Sequence, residues 1–278
     1  MAFVGTALLK PLKRKTPTTY FVNSMSDLFH EDVPDEWIDR VFAVMALCPQ
    51  HTFQVLTKRA ARMRAYFNRV TVPGYTAEMA AEDDDIDMGA ARFALTVQLC
   101  GEWNIGRTWS PPILPLDNVW LGVSCEDQRR ANERIPDLLA TPAAVRFVSA
   151  EPLLGPVDFT KDRLWHASCR LCVGQGPCAA GGVGIDWVIV GGESGHGARP
   201  MKREWADSIV SQCREANVAC FVKQLGAAYC DEKNGVAGAL IKAPSEVAIS
   251  TRLHHRKGAD MAEWPETLCV REMPVLGI

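Results

Sequence analysis

Six short apolar runs recur along the chain, and each ends in polar or charged residues. Thr19–Met25 leads into Ser26-Asp27, Thr52–Leu56 into Thr57-Lys58-Arg59, and Val119–Val123 into Ser124-Cys125-Glu126-Asp127. Val145–Val148 leads into Ser149-Ala150-Glu151-Pro152, Asp186–Val190 into Gly191-Gly192-Glu193-Ser194, and Cys220–Val222 into Lys223-Gln224. Runs that are apolar throughout, without alternation, describe strands buried on both faces, as in parallel sheets. Helical patterns separate them. Asp35–Leu47 places Ile38, Val41, Phe42 and Met45 on one stripe, with Asp32 as an N-cap and Pro34 in the first turn. Arg59–Phe67 reads as a short helix. Glu126–Arg134 and Pro136–Ala140 read as a helix that restarts at Pro136. Arg203–Ala216 carries Trp205, Ile209 and Cys213 on one side. Strict alternation of strand and helix implies parallel pairing with right-handed crossovers. The expected fold is α/β: one domain over residues 1–278, a partial or complete parallel (β/α) barrel, TIM-like, with insertions.

Two stretches interrupt the rhythm. Residues 73–117 contain Glu82-Asp83-Asp84-Asp85 and Asp87, which suits a helical insertion with a solvated acidic face; the spacing of a calcium loop is absent. Residues 160–184 contain Cys169-x2-Cys172-x5-Cys178 among glycines. From about residue 227 the periodicity fades into an irregular tail with a final short strand at Cys269–Arg271.

In barrels of this kind the carboxyl ends of the strands build the site. The pattern therefore predicts one mouth lined by Asp27, Lys58, Glu126, Glu151, Glu193 and Lys223. Any one of these also suits a helix cap or a salt bridge at the rim. Pro152 disfavours helix at Glu151 and so holds its carboxylate at the strand end. Gly191-Gly192 before Glu193 lets backbone approach a ligand and expose N–H groups. Glu151 and Glu193, on successive strands, can divide acid and base roles or hold an amine. Their like charges raise one another's pKa unless a cation intervenes. Lys58 and Lys223 suit carboxylate or phosphate contacts. The competing reading is a Glu–Arg/Lys network drawing on Lys58, Arg59, Arg199 or Lys223.

The bulk numbers change this picture little. A chain of 278 residues, 47% hydrophobic, supports a sizeable core. A net charge of −3 and a pI near 6.1 give no global argument for nucleic acid. Lys10, Lys13, Arg14 and Lys15 form a basic run that suits a solvated entry segment. No apolar stretch has membrane-spanning length. The N-terminus is apolar first and basic second, the reverse of a signal peptide, so the expected location is cytoplasmic. Ten cysteines in that setting argue for thiols or metal ligands over disulfides. Cys169, Cys172 and Cys178 are one short of a four-ligand zinc site. They suit a zinc completed by His166, a cluster with one open iron, or a loop with incidental thiols.

Several stretches resemble a known family. They are Phe21-Val22-Asn23-Ser24-Met25-Ser26-Asp27-Leu28-Phe29-His30, Val55-Leu56-Thr57-Lys58-Arg59, Trp120-Leu121-Gly122-Val123-Ser124, Glu151-Pro152 and Trp187–Gly195, together with Trp264-Pro265 and Arg271–Pro274 of the tail. The family is the uncharacterised phage and bacterial Gp thirty-seven/Gp sixty-eight family, related to radical S-adenosylmethionine (SAM) barrels. The resemblance implies SAM and a four-iron, four-sulfur cluster as cofactors and a small-molecule ligand. On it, Asn23, Ser24, Asp27, Ser124, Glu126, Gly191, Gly192, Ser194 and Gln224 would hold the cofactor, and Glu151, Glu193, Lys58 and Lys223 would act on the substrate. It also implies a three-cysteine unit early in the chain. No cysteine precedes Cys48, and the cysteines at 169–178 lack that spacing and position. The expectation is thus a barrel without its cluster unit, unable to cleave SAM as it stands. Its open sheet edge would favour self-association. The alternative is a non-enzymatic binding module, metal-stabilised at the cysteine insertion.

Overall fold

The computed structural model describes residues 5–70, 114–159, 184–231, 241–242, 247–248, 253 and 255–274. The acidic run at 82–87, His166, Cys169, Cys172 and Cys178 lie outside them. Two short helices, α1 (Gly5–Leu8) and α2 (Lys10–Lys13), precede the first strand. The elements that follow are β1 (Thr19–Val22), α3 (Asp35–Ala46), β2 (Thr52–Thr57), α4 (Ala60–Val70), β3 (Val119–Ser124), α5 (Gln128–Leu139), β4 (Val145–Ala150) and β5 (Trp187–Gly191). Then come β6 (Met201–Lys202), α6 (Arg203–Ala216), β7 (Ala219–Gln224), β8 (Tyr229–Cys230), β9 (Ile241–Lys242) and β10 (Val247–Ala248).

All six predicted strands exist. They form one sheet in the order β1-β2-β3-β4-β5-β7, which is chain order, and the described registers are parallel. This singly wound order is that of a partial (β/α) barrel. Burial follows the sequence pattern: β3 and β5 are buried at every position, whereas β1 alternates between exposed and half-buried. β6 pairs with β8 in parallel, and β9 with β10 antiparallel.

Two helix details differ from the sequence reading. The N-cap of α3 is Pro34, not Asp32, and no side chain caps it. The fixed φ of proline starts the helix, and the Pro34 carbonyl receives the Trp37 amide. Pro136 does not restart a helix but lies inside α5. Proline has no N–H to donate to the preceding turn, and the next turn continues with Ala140 N–H donating to the Pro136 carbonyl. The cap of α5 is Asp127, whose carboxylate accepts the Arg130 N–H at 2.9 Å.

Contacts divide the chain into two compact units. The first comprises Met1–Val123 with Pro136–Arg146, the second Ser124–Ile135 with Phe147–Ile278. The first has an aromatic core in which Phe42, Tyr66 and Phe67 meet edge-on or tilted, with Phe29 beside them. The buried Tyr66 hydroxyl donates to Asp39 at 2.8 Å, which removes the cost of burying either polar group unpaired. Asn118 Nδ2 lies within 3.1 Å of the carbonyls of Met45, Cys48 and His51, so the side chain before β3 ties down the end of α3.

The second unit packs Val148, Val188, Val190, Val222, Ile209 and Leu225 with essentially no exposure. Trp187 links Phe147 and Phe221 at centroid distances of 5.7 and 6.1 Å. The tail covers the outer edge of β7. Val222 N–H donates to Val270 O, Glu272 N–H donates to Cys220 O, and Phe221 bridges Arg271 antiparallel. The Arg271 guanidinium lies 5.4 Å from the Phe221 ring and 5.5 Å from Trp264. No helix among the described residues is long and apolar enough to cross a membrane.

Candidate functional site

The strand-end residues form separate clusters in the two units. In the first, Asp27 is consumed by its own neighbours. Its Oδ1 accepts from Phe29 N–H at 3.0 Å and Thr57 Oγ1 at 2.7 Å. Its Oδ2 accepts from Lys58 N–H at 3.0 Å and Arg59 Nη1 at 3.1 Å. Four donors leave little acceptor capacity, so Asp27 joins the carboxyl ends of β1 and β2. Arg59 also reaches Glu31 at 3.4 Å. Asn23, in the left-handed region at φ 54°, turns the chain out of β1, its carbonyl accepting from Ser26 N–H. Asn23, Ser24 and Lys58 are exposed.

The second unit gathers more of the predicted residues. Glu126 forms an inward pair with Arg134 at 3.0 Å, both side chains nearly buried, and Arg134 Nη1 also donates to the Ser124 carbonyl at 2.7 Å. At the end of β4, Glu151 Oε2 receives Lys223 Nζ at 3.2 Å and the Ser149 hydroxyl at 3.3 Å. Its Oε1 lies over Gly191, only 2.3 Å from where a Cβ would stand. A side chain at 191 would displace this carboxylate, so Gly191 leaves room for Glu151, an interlock between β4 and β5 that spacing alone does not reveal. Glu151 is 18% exposed and Lys223 57% exposed.

Glu193, one strand further, faces a different cation. Arg199 grips it through Nε at 2.8 Å and Nη2 at 2.9 Å and adds its backbone N–H at 2.9 Å. These bonds hold the Glu193 carboxyl well below the ordinary value of 4.5, at about 2. The two glutamates therefore do not act as a bare like-charged pair: each has its own cation, as in the network reading of the sequence. Gln224 is likewise engaged, its Nε2 donating to Gly192 O at 2.9 Å while Gly192 N–H donates to Gln224 O. Ser194 is exposed on the loop between them.

Three glycines let backbones close behind this cluster. A Cβ on Gly192 would stand 2.2 Å from Leu225 O, one on Gly226 2.8 Å from Glu193 O, and one on Gly258 2.5 Å from Gly226 O. Tail residues thereby support the site: Leu225 N–H donates to Gly258 O and Gly226 N–H to Lys257 O. Sequence reading placed residues 255–258 in an irregular tail that precedes its final short strand at Cys269–Arg271. The glycine at 258 was a signal there for a close backbone approach.

Residues 1–263 match a family described as a protein of unknown function, DUF5131. The chain belongs to that family. No curated protein and no solved structure matches it. The family's description assigns no chemistry, so the site must be read from its own geometry.

An iron–sulfur cluster or structural metal needs thiolates or imidazoles gathered at one point. Among the described residues no group of three His, Cys, Asp or Glu side chains is so gathered. Cys48, Cys125, Cys213, Cys220 and Cys230 are buried. Burial pushes the Cys48 thiol up to about 11, and hydrogen bonding to Cys220 together with burial raises Cys213, the opposite of what a thiolate ligand requires. The described cysteines do not fit a cluster.

Proposed function

We propose that this chain binds a small molecule carrying an amine at the carboxyl ends of β4, β5 and β7. One observation carries the reading. Among the described residues Glu151 keeps Oε1 without a hydrogen-bond partner while Lys223 and Ser149 occupy Oε2. A carboxylate oxygen without a described donor, on a side chain only 18% exposed, is an acceptor set for a ligand. Lys223, more than half exposed beside it, offers an ammonium to a carboxylate or phosphate on the same molecule. Glu193, clamped by Arg199, shapes the wall and the backbone path and leaves the direct contact to Glu151. The finer reading follows the resemblance to the Gp thirty-seven/Gp sixty-eight family and to radical-SAM barrels. SAM carries the required amine and carboxylate, and its amine would meet Glu151 and its carboxylate Lys223. The described cysteines do not fit the four-iron cluster, so no radical step is assigned to this chain.

Equilibrium dialysis against SAM tests both levels. The expected outcome is saturable binding to the wild type and its loss in Glu151→Gln, with thermal stability kept within about 1 kcal/mol. Lys223→Ala weakens binding of SAM more than binding of its decarboxylated form. Unchanged binding by Glu151→Gln ends the reading of the site. Failure of SAM alone, with another amine bound in a Glu151-dependent way, ends only the finer one.

A second reading is a non-catalytic binding module. It is favoured by the number of strand-end groups already held internally: Asp27, Glu126, Glu193 and Gln224. In that reading Cys169, Cys172 and Cys178 hold zinc or iron. Metal content of the purified chain, compared with Cys169→Ala, Cys172→Ala and Cys178→Ala, decides it.

A further inference from the structure

We infer that the outer edge of β1 is an interface through which two copies of this chain pair edge to edge. Among the described residues β1 is hydrogen-bonded to β2 alone, and no described strand pairs with the N–H and C=O groups of its other side. Natural sheets blunt such edges with lysine, proline or bulges inside the strand. Thr19-Tyr20-Phe21-Val22 has none of these. Phe21 is 45% exposed and Met25, in the turn just after, 97%; they are two of the three large apolar side chains exposed among the described residues. A cavity of about 410 Å3 opens beside the same strand, lined by Tyr20, Phe21 and Val22 and by Trp37, Val41 and Met45 of α3. An apolar strand edge, an exposed aromatic and an apolar hollow at one place mark an interaction surface.

Charge selects a second copy as the occupant. The amino end of β1 follows Lys13, Arg14 and Lys15, all exposed. Its carboxyl end leads to Glu31 and Asp32, whose side chains are 66% and 78% exposed; both lie 3.6 Å from the His30 ring and Glu31 also reaches Arg59 at 3.4 Å. An antiparallel pair related by a two-fold axis sets the basic end of one strand beside the acidic end of the other, twice. Centred on Phe21, it also sets this ring directly opposite its own copy, a favourable aromatic cross-strand pair. A parallel arrangement would stack like charges instead.

Sedimentation velocity on the full chain at low and high salt tests this. The expected result is a dimer at low salt that weakens as salt rises, because exposed charges are screened. Phe21→Lys should sediment as a folded monomer, its circular dichroism unchanged, since the position is already exposed. As a second variant, Lys13→Glu/Arg14→Glu/Lys15→Glu should be monomeric alone. It should form a heterodimer when mixed with Glu31→Lys/Asp32→Lys. A monomeric wild type overturns the inference. So does a dimer that survives Phe21→Lys, or a pair of charge variants that fail to associate on mixing.

Discussion

Glu151 and Glu193 follow adjacent strands yet have opposite electrostatic settings. Glu193 is held on both oxygens by Arg199, whereas Glu151 keeps one oxygen without a donor among the described residues. The difference is testable by pH. The folded-state pKa of Glu193 lies below its ordinary value, at about 2. The pair's contribution to stability is therefore complete above 4.5 and is lost as pH falls toward 2. A carboxyl NMR titration should give Glu193 a midpoint near 2, and Arg199→Ala should return it toward 4.5. A wild-type midpoint near 4.5 would mean that the pair does not form in solution. The Gly191–Glu151 interlock is the other lesson at this scale. The sequence suggested glycine for backbone approach to a ligand, while the structure uses its missing Cβ to seat a carboxylate.

Elements here are fixed by local chemistry and by long-range closure in different measure. Asp127 caps α5, and Asn217 at φ 54° ends α6, both through bonds within a turn. The end of β7 is fixed differently. It depends on residues more than thirty positions away, because Gly192, Gly226 and Gly258 let three backbones touch. Gly192→Ala forces its Cβ against the Leu225 carbonyl, which has no flexible side chain to yield. A destabilisation of about 2–3 kcal/mol is expected in urea unfolding. A change under about 0.5 kcal/mol, the range of an ordinary surface substitution, would show that the contact is looser than described.

Across the whole molecule, burial grades from the first strand to the middle of the sheet. β3 and β5 are fully buried, while β1 alternates between exposed and half-buried. Local opening costs least where few apolar contacts must break. In the Phe21→Lys background, which removes the proposed pairing, β1 amides should exchange with solvent well before those of β5. Equal protection would contradict this gradient. The sequence by itself determined the six strands, their parallel order and most of the helices, because apolar runs and helical stripes are local consequences of burial on two faces or one. It also marked Glu151, Glu193 and Lys223 as strand-end groups, since such ends follow directly from where each run stops. Only the tertiary structure decided their partners: Lys223 for Glu151, Arg199 for Glu193, Arg134 for Glu126. It alone brought the tail against β7 and behind Gly192. Those choices depend on side-chain reach and backbone clearance between segments far apart in the chain, and a one-dimensional pattern carries no record of either.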